Sequence, residues 1–194
     1  MAEAELAEGK KGARQSGASV AFLDESGFSE RPSIRRTWSR RGSTPVLKLP
    51  FNWKRLSAIG ALVASAEGGK VRAFLSLKQG AVTSEVVIGF LANLRRHVRG
   101  KVVLVWDRLG AHKSKRTRAY IEARRDWLKV EYLPAYAPEL NPVEGMWAYL
   151  GATSLANYSA DGLDELAGAV RRGVRRLRRR NQGGRPFLHH CGLY

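Results

Sequence analysis

Cysteine is almost missing from this chain: Cys191 stands alone among 194 residues. An internal disulfide and a multi-thiolate zinc site are therefore excluded, and a reducing compartment fits. Long hydrophobic runs are missing too. The longest, LSAIGALVASA from Leu56 to Ala66, is interrupted by Ser and Gly and is too short for a bilayer. The N-terminal MAEAELAEGKKGARQS has charges but no apolar core segment, so no secretory signal is read there and no membrane partner is expected. Acids are scarce, with 17 Asp+Glu against 34 Lys+Arg and a formal charge of +17. An excess of this size is expected of a chain that meets a polyanion, because neutralising phosphates releases counterions. Arginine supplies 24 of the 34 cations, a bias that a GC-rich genome would also produce.

What is present is enough for a folded core: apolar residues make up 44% of a chain long enough for one domain. A polar helix is expected over residues 3–16 of a tail ending at 17. Residues 18–158 should form the core, and 159–194 a basic helix and tail of the same domain. Ala18 to Asp24 reads as a buried strand. The stretch IRRTWSRRGSTP, inside a segment rich in Arg, Ser, Gly and Pro, alternates as a short exposed strand and turn would. Leu56 to Ala66 and Val71 to Leu77 read as a hairpin turning at Glu67-Gly68-Gly69. A helix capped by Thr83 or Ser84 follows, with Val87, Phe90, Leu91, Leu94 and Val98 on one face and Gly100 after it. Val102 to Trp106 is continuously apolar, as a strand buried on both faces requires. Ser114 can cap a basic helix to about Arg125, and Leu128 to Leu133 is another strand. After a proline-rich loop, Asn141 caps a helix with Pro142 at its first position. The last helix runs from about Asp161 to Arg180, and the remaining tail reads as loop. This order predicts an α/β fold: an RNase H-like mixed sheet, an antiparallel meander leading into parallel strands, flanked by helices.

Three acids stand at telling places in this order. Asp24 closes ASVAFLDES, Asp107 closes KVVLVWDRLGAH, and Glu144 lies in YLPAYAPELNPVEGMW. A strand ending in an acid delivers it to the rim of a sheet. Carboxylates gathered there suit hard divalent cations, which prefer oxygen ligands. Taken singly, each Asp reads better as a turn residue that ends a strand. Glu144 is three residues past the cap, where it could instead return a capping-box bond to Asn141. Glu139 is a rival ligand in the loop before it.

Taken together, FLDES, VWDRLGAH and LPAYAPELNPVEGMW resemble the catalytic domain of the IS630 / Tc1-mariner transposases, a likeness extending from about Ala18 to Gly192. Asp24, Asp107 and Glu144 match that family's DDE acids, with 36 residues between the second and third. The resemblance implies cleavage of DNA phosphodiesters at transposon ends and strand transfer into target DNA, at least a dimer on DNA, and a cytoplasmic, nucleoid-associated protein. For such chemistry a pair of Mg²⁺ or Mn²⁺ ions is expected, with Asp24 bridging, Asp107 on one ion and Glu144 on the other. Two departures are visible. The family's helix-turn-helix region has no room before Ala18, so a separate upstream recognition chain, a truncation or a fragment is expected. Arg108 also follows the second acid where relatives often carry Asn. A structure-specific nuclease on the same fold, or a repurposed non-catalytic DNA-binding fragment, are the competing readings. A helix-turn-helix frame and inverted repeats in the neighbouring DNA would favour transposition.

Other residues carry paired readings. His112 could orient a water or touch the scissile phosphate, or could simply bond within its turn. Asn141 is an auxiliary candidate as well as a cap. Glu25, opposite in direction to Asp24 on a strand, reads as structural. Arg35, Arg36, Arg40 and Arg41 around Trp38 could clamp phosphates and stack a base, or form a solvated hairpin whose Trp packs on the core. Arg108, Lys113, Lys115, Arg116 and Arg118 are candidate phosphate contacts. Arg171 to Arg180 are either a DNA-facing surface or the solvent side of the last helix. Trp147 reads as a core anchor.

Overall fold

The structure is a computed structural model that describes residues 17–49, 54–66, 69, 71–134, 137–179 and 184–191. The helix expected over 3–16 and the tip of the expected hairpin turn lie outside the described residues. The elements are β1 (Ser19–Ser29), β2 (Arg55–Ala64), β3 (Val71–Gln79), α1 (Ser84–His97), β4 (Val102–Trp106), α2 (Gly110–Lys113), α3 (Lys115–Glu122), β5 (Leu128–Tyr132), a 3₁₀ turn (Pro138–Leu140), α4 (Pro142–Thr153), α5 (Leu163–Arg179) and α6 (Arg185–His190). The strands form one mixed sheet in the order β3-β2-β1-β4-β5. β1, β2 and β3 pair antiparallel, whereas β4 runs parallel to both β1 and β5.

Strand alternation sends side chains to two separate cores. On one face Phe22, Leu62 and Val105 pack with Met146 and Leu150 of α4, Val170 and Val174 of α5 and Leu188 of α6. On the other, Leu23, Ile59 and Leu104 pack with Val87, Leu91 and Leu94 of α1. β4 is buried throughout, because it lies between two strands and under helices on both faces. The apolar stripe expected on α1 is the buried one. Ser114 caps α3 by accepting from the Thr117 N–H.

Three expectations need correction. β1 does not stop at Asp24 but continues to Ser29, because antiparallel pairing with β2 persists through Ser29↔Arg55 and Phe28 is buried. The arginine-rich segment after it is not a strand. It makes a single bridge, Ser33↔Ala156, and a turn closed by Ser43 N–H to the Arg40 carbonyl, and from Ile34 to Leu49 is otherwise irregular and exposed. The tail is partly helical: α6 forms where Leu188 enters the core and Phe187 lies against Gly145, whose missing Cβ would meet that ring at 2.9 Å.

Gly60 matters for the geometry described below. It is paired with Asp24 across β1 and β2. A Cβ there would sit 2.5 Å from Trp147 Cη2 and 2.8 Å from Met146 Cε, so α4 can approach the sheet only over a glycine. Gly60→Ala is expected to destabilise the fold by about 1–3 kcal/mol through overpacking. Urea unfolding of the variant against the parent measures this, and an unchanged midpoint would contradict it.

Candidate active site

β1 and β4 pair in parallel from Ser19↔Val102 to Phe22↔Val105. Carrying that offset two residues on sets Asp24 level with Asp107, on adjacent strands about 4.8 Å apart. Asp24 is thus in mid-strand, but at the height where its parallel partner ends and the sheet opens. α4 crosses β1 and β2 and brings Glu144 on its first turn. The Asn141 side chain does two things at once. Its oxygen accepts from the Val143 N–H, capping α4, and its amide donates to the Leu23 carbonyl at 3.1 Å. The residue preceding Asp24 is therefore tied to the residue that starts the helix bearing Glu144. Asn141 is buried, as that double bond requires.

The capping-box alternative for Glu144 is not realised. The Asn141 N–H donates to the Pro138 carbonyl, so no cap N–H remains for that carboxylate. Glu144 instead acts electrostatically on Asp24. Glu139 is not among the groups acting on Asp24; it is exposed and acts on Cys191.

Asp24 Oδ2 accepts from the Trp147 indole N–H at 2.8 Å. Trp147 is thus more than a core anchor. Burial, and next the charge of Glu144, push the Asp24 carboxyl up from 3.8 to about 7; Glu25 and Asp107 add to this, and only the Trp147 bond opposes it. Burial also raises Glu144 above the ordinary carboxylate range. Carboxylates crowd this rim, and all-oxygen donors of this kind fit a hard divalent cation.

Asp107 Oδ1 accepts from the Leu109 N–H at 2.9 Å and meets His112 Nδ1 at 2.8 Å. His112 Nε2 meets Glu25 Oε1 at 2.8 Å. The ring is fully buried and stacks on Trp106, centroids 4.1 Å apart and planes 9° off parallel. Both nitrogens are occupied, so His112 has none to offer a phosphate or a water, contrary to one sequence expectation. Burial disfavours the charged ring, but the bond to Glu25 and the charges of Glu25 and Asp107 outweigh it and raise its pKa. Glu25, His112 and Asp107 offer ligand atoms within 4.8 Å of one another. The 2.8 Å separations and the full burial of the ring make this a hydrogen-bonded bridge. Glu25 is the residue that sequence reasoning passed over. Strand alternation does point it away from Asp24, but the face it points to is where His112 lies.

The basic candidates divide. Arg108 lies exposed with its guanidinium over the Tyr132 ring at 5.5 Å, and Lys113 and Lys115 are exposed nearby. Arg116 is held in an ion pair with Glu85, and Arg118 donates to the Lys113 carbonyl. The segment with Arg35, Arg36, Arg40 and Arg41 is fastened at its base, where the Arg35 N–H and carbonyl both bond the Asn157 side chain. Trp38 is 100% exposed, which rules out packing on the core. On α5, the exposed arginines lie opposite the buried Leu166, Val170, Val174 and Leu177. Among the described residues, no helix is long and apolar enough to cross a membrane.

A family model described as DDE superfamily endonuclease matches residues 19–167. An IS630 insertion-element "uncharacterized 39 kDa protein" of Shigella sonnei is 27% identical over 154 residues, which is 78% of this chain and 43% of that protein. The chain therefore spans under half the length of this curated relative. Among solved structures, the catalytic domain of Mos1 mariner transposase matches with a TM-score of 0.62 at 16% identity, covering 98% of this chain and 84% of that one. A mariner Mos1 paired end complex with Mg matches with a TM-score of 0.68 at 17% identity, covering 98% and 56%. These structural likenesses are likenesses of fold, and that fold is the RNase H-like mixed sheet expected above.

Proposed function

The chain belongs to the DDE superfamily endonuclease family, and from that premise we propose that it is the catalytic portion of a transposase, cleaving DNA phosphodiesters at transposon ends and joining the freed strand to target DNA. The observation that carries this reading is geometric: the β1–β4 register sets Asp24 level with Asp107 at the rim of the sheet, and α4 brings Glu144 close enough to act on Asp24. A relative that is an insertion-element protein, and a fold neighbour described as a Mos1 transposase paired-end complex with left transposon end, support the substrate class.

Asp24, Asp107 and Glu144 would hold Mg²⁺ or Mn²⁺, with two ions as the expected number. When bound, such ions lower the pKa of an attacking water and neutralise charge on the leaving oxygen. The chain's own contribution is to fix the ligands. Trp147 occupies Asp24 Oδ2, leaving Oδ1. Leu109 and His112 both occupy Asp107 Oδ1, leaving Oδ2. Asn141 sets the start of α4 and so the place of Glu144. One oxygen of each aspartate is thus held by the protein and the other is available to a ligand. Arg108, Lys113 and Lys115 lie close in sequence to Asp107 and would neutralise phosphates flanking the cleaved bond. The exposed Trp38 among Arg35, Arg36, Arg40 and Arg41 suits stacking and backbone contact with DNA. Paired ends call for a homodimer, and end recognition for an upstream helix-turn-helix chain.

The test is a nicking and joining assay. The purified protein, with the upstream reading frame supplied where needed, is incubated with DNA carrying the element's ends. Cleavage is expected with Mg²⁺ or Mn²⁺ and none in EDTA. Cleavage that proceeds equally in EDTA would overturn the proposal.

A further inference from the structure

The proposed site rests on Asp107 being presented in one orientation, although its side chain is 51% exposed on an open rim. An exposed carboxylate ordinarily samples several rotamers, and holding it in one costs side-chain entropy. The structure contains the means to hold it. Behind Asp107, α2 carries His112 into the interior between β1 and Trp106. The ring's faces are confined by the Trp106 stack, and its two nitrogens point at opposite carboxylates. On the inner side is Glu25, whose side chain is only 13% exposed. Asp24 and Glu25 are successive residues of one strand, so whatever fixes β1 fixes both. One peptide unit thereby sends one carboxylate directly to the rim and a second, by way of an imidazole, to the back of Asp107.

We propose that Glu25 is a positioning residue for the cation site: through His112 it holds Asp107 by Oδ1 and so leaves Oδ2 as the oxygen available to a cation. The inference rests on the reading of Asp24, Asp107 and Glu144 as ligands. Carboxylate–imidazole contacts behind a metal ligand fix its orientation, and their loss typically weakens metal binding 10- to 100-fold. A bridge of this kind acts on ligand geometry and leaves the DNA-contacting surface untouched. Glu25 contributes nothing to phosphate contact, because it lies behind the ring on the face packed by α1 and α3.

The test measures Mn²⁺ binding by electron paramagnetic resonance, without DNA, for the parent, Glu25→Gln, Asp107→Asn and the double variant. The parent is expected to bind and Asp107→Asn to bind poorly. Glu25→Gln should bind about 10- to 100-fold more weakly than the parent. DNA affinity in EDTA should stay at the parental value, and excess Mn²⁺ should restore cleavage. A purely packing role for Glu25 would lower stability without this selective and rescuable loss. The double variant should bind no more weakly than Asp107→Asn, because both changes act through one ligand. Parental Mn²⁺ affinity in Glu25→Gln, or additive losses in the double variant, overturns the role of Glu25. Failure of the parent to bind Mn²⁺, or undiminished binding by Asp107→Asn, overturns the ligand assignment itself. Should Glu25→Gln not fold, Glu25→Asp withdraws the same charge by one methylene. An intermediate loss is then expected, and parental affinity overturns the proposal.

Discussion

Asp107→Asn is expected to reduce metal-dependent DNA cleavage by at least about a thousand-fold while leaving DNA affinity at or above that of the parent. The magnitude follows from the charge stabilisation a cation supplies, several kcal/mol at 1.36 kcal/mol per tenfold in rate. The substitution is conservative in structure. An amide oxygen at the Oδ1 position still accepts from the Leu109 N–H and from His112, so the turn after β4 keeps its bonds. What changes is charge. Removing one negative charge from a rim that already holds Asp24 and Glu144 also removes repulsion against incoming phosphates, which is why affinity holds or improves. Single-turnover nicking in Mg²⁺, read beside anisotropy titration with labelled DNA, separates the two quantities. Parental cleavage by the variant would mean that Asp107 holds no cation.

Asp24→Asn is expected to do the opposite to stability in the absence of metal. In the unfolded chain this carboxyl titrates near 3.8, and in the fold near 7. Between those values the unfolded state releases a proton that the folded state keeps, so stability falls as pH rises through this window. Well below pH 3.8 both states are protonated and the fold retains its full stability. Above pH 7 both are ionised, and the fold carries the cost of a buried charge beside Glu144, about 4 kcal/mol at 1.36 kcal/mol per unit. Asn is neutral at every pH and its oxygen can still accept from the Trp147 N–H. In EDTA the variant should therefore match the parent near pH 3 and exceed it by up to about 4 kcal/mol above pH 7. Mg²⁺ should close the gap by stabilising the parent alone. Urea unfolding across this pH range measures both effects, and a difference independent of pH would refute the prediction. An acid proposed to hold a cation would thus also make the metal-free fold less stable, a trade seen at functional sites generally.

Much of the molecule was legible in its residue pattern. Val102–Trp106 could be recognised as a central strand because five successive apolar residues cannot all be buried unless both faces are covered. The 3.6-residue period of Val87, Phe90, Leu91 and Leu94 marked α1, and Asn141-Pro142 marked the start of α4, because capping chemistry is local. Expectations failed where the deciding contact was distant. The continuation of β1 beyond Asp24 depends on pairing with β2, and α6 depends on a core to which Leu188 can dock. The absence of a strand around Trp38 has the same origin: alternation alone makes no strand without a partner strand, and this segment pairs only through the Ser33↔Ala156 bridge.

The three acids could be named as candidates from sequence alone, because a hydrophobic segment ending at a carboxylate, and an Asx-capped helix carrying another, are statements about neighbours in the chain, and the resemblance of their surroundings to one family singled them out. Which oxygen of each aspartate is held, and by what, was decided only by the tertiary structure. Trp147 reaches Asp24 across 123 residues and His112 reaches Glu25 across 87. Local pattern records which face of an element is buried. Only the packing of one element on another determines which group a buried polar atom meets there.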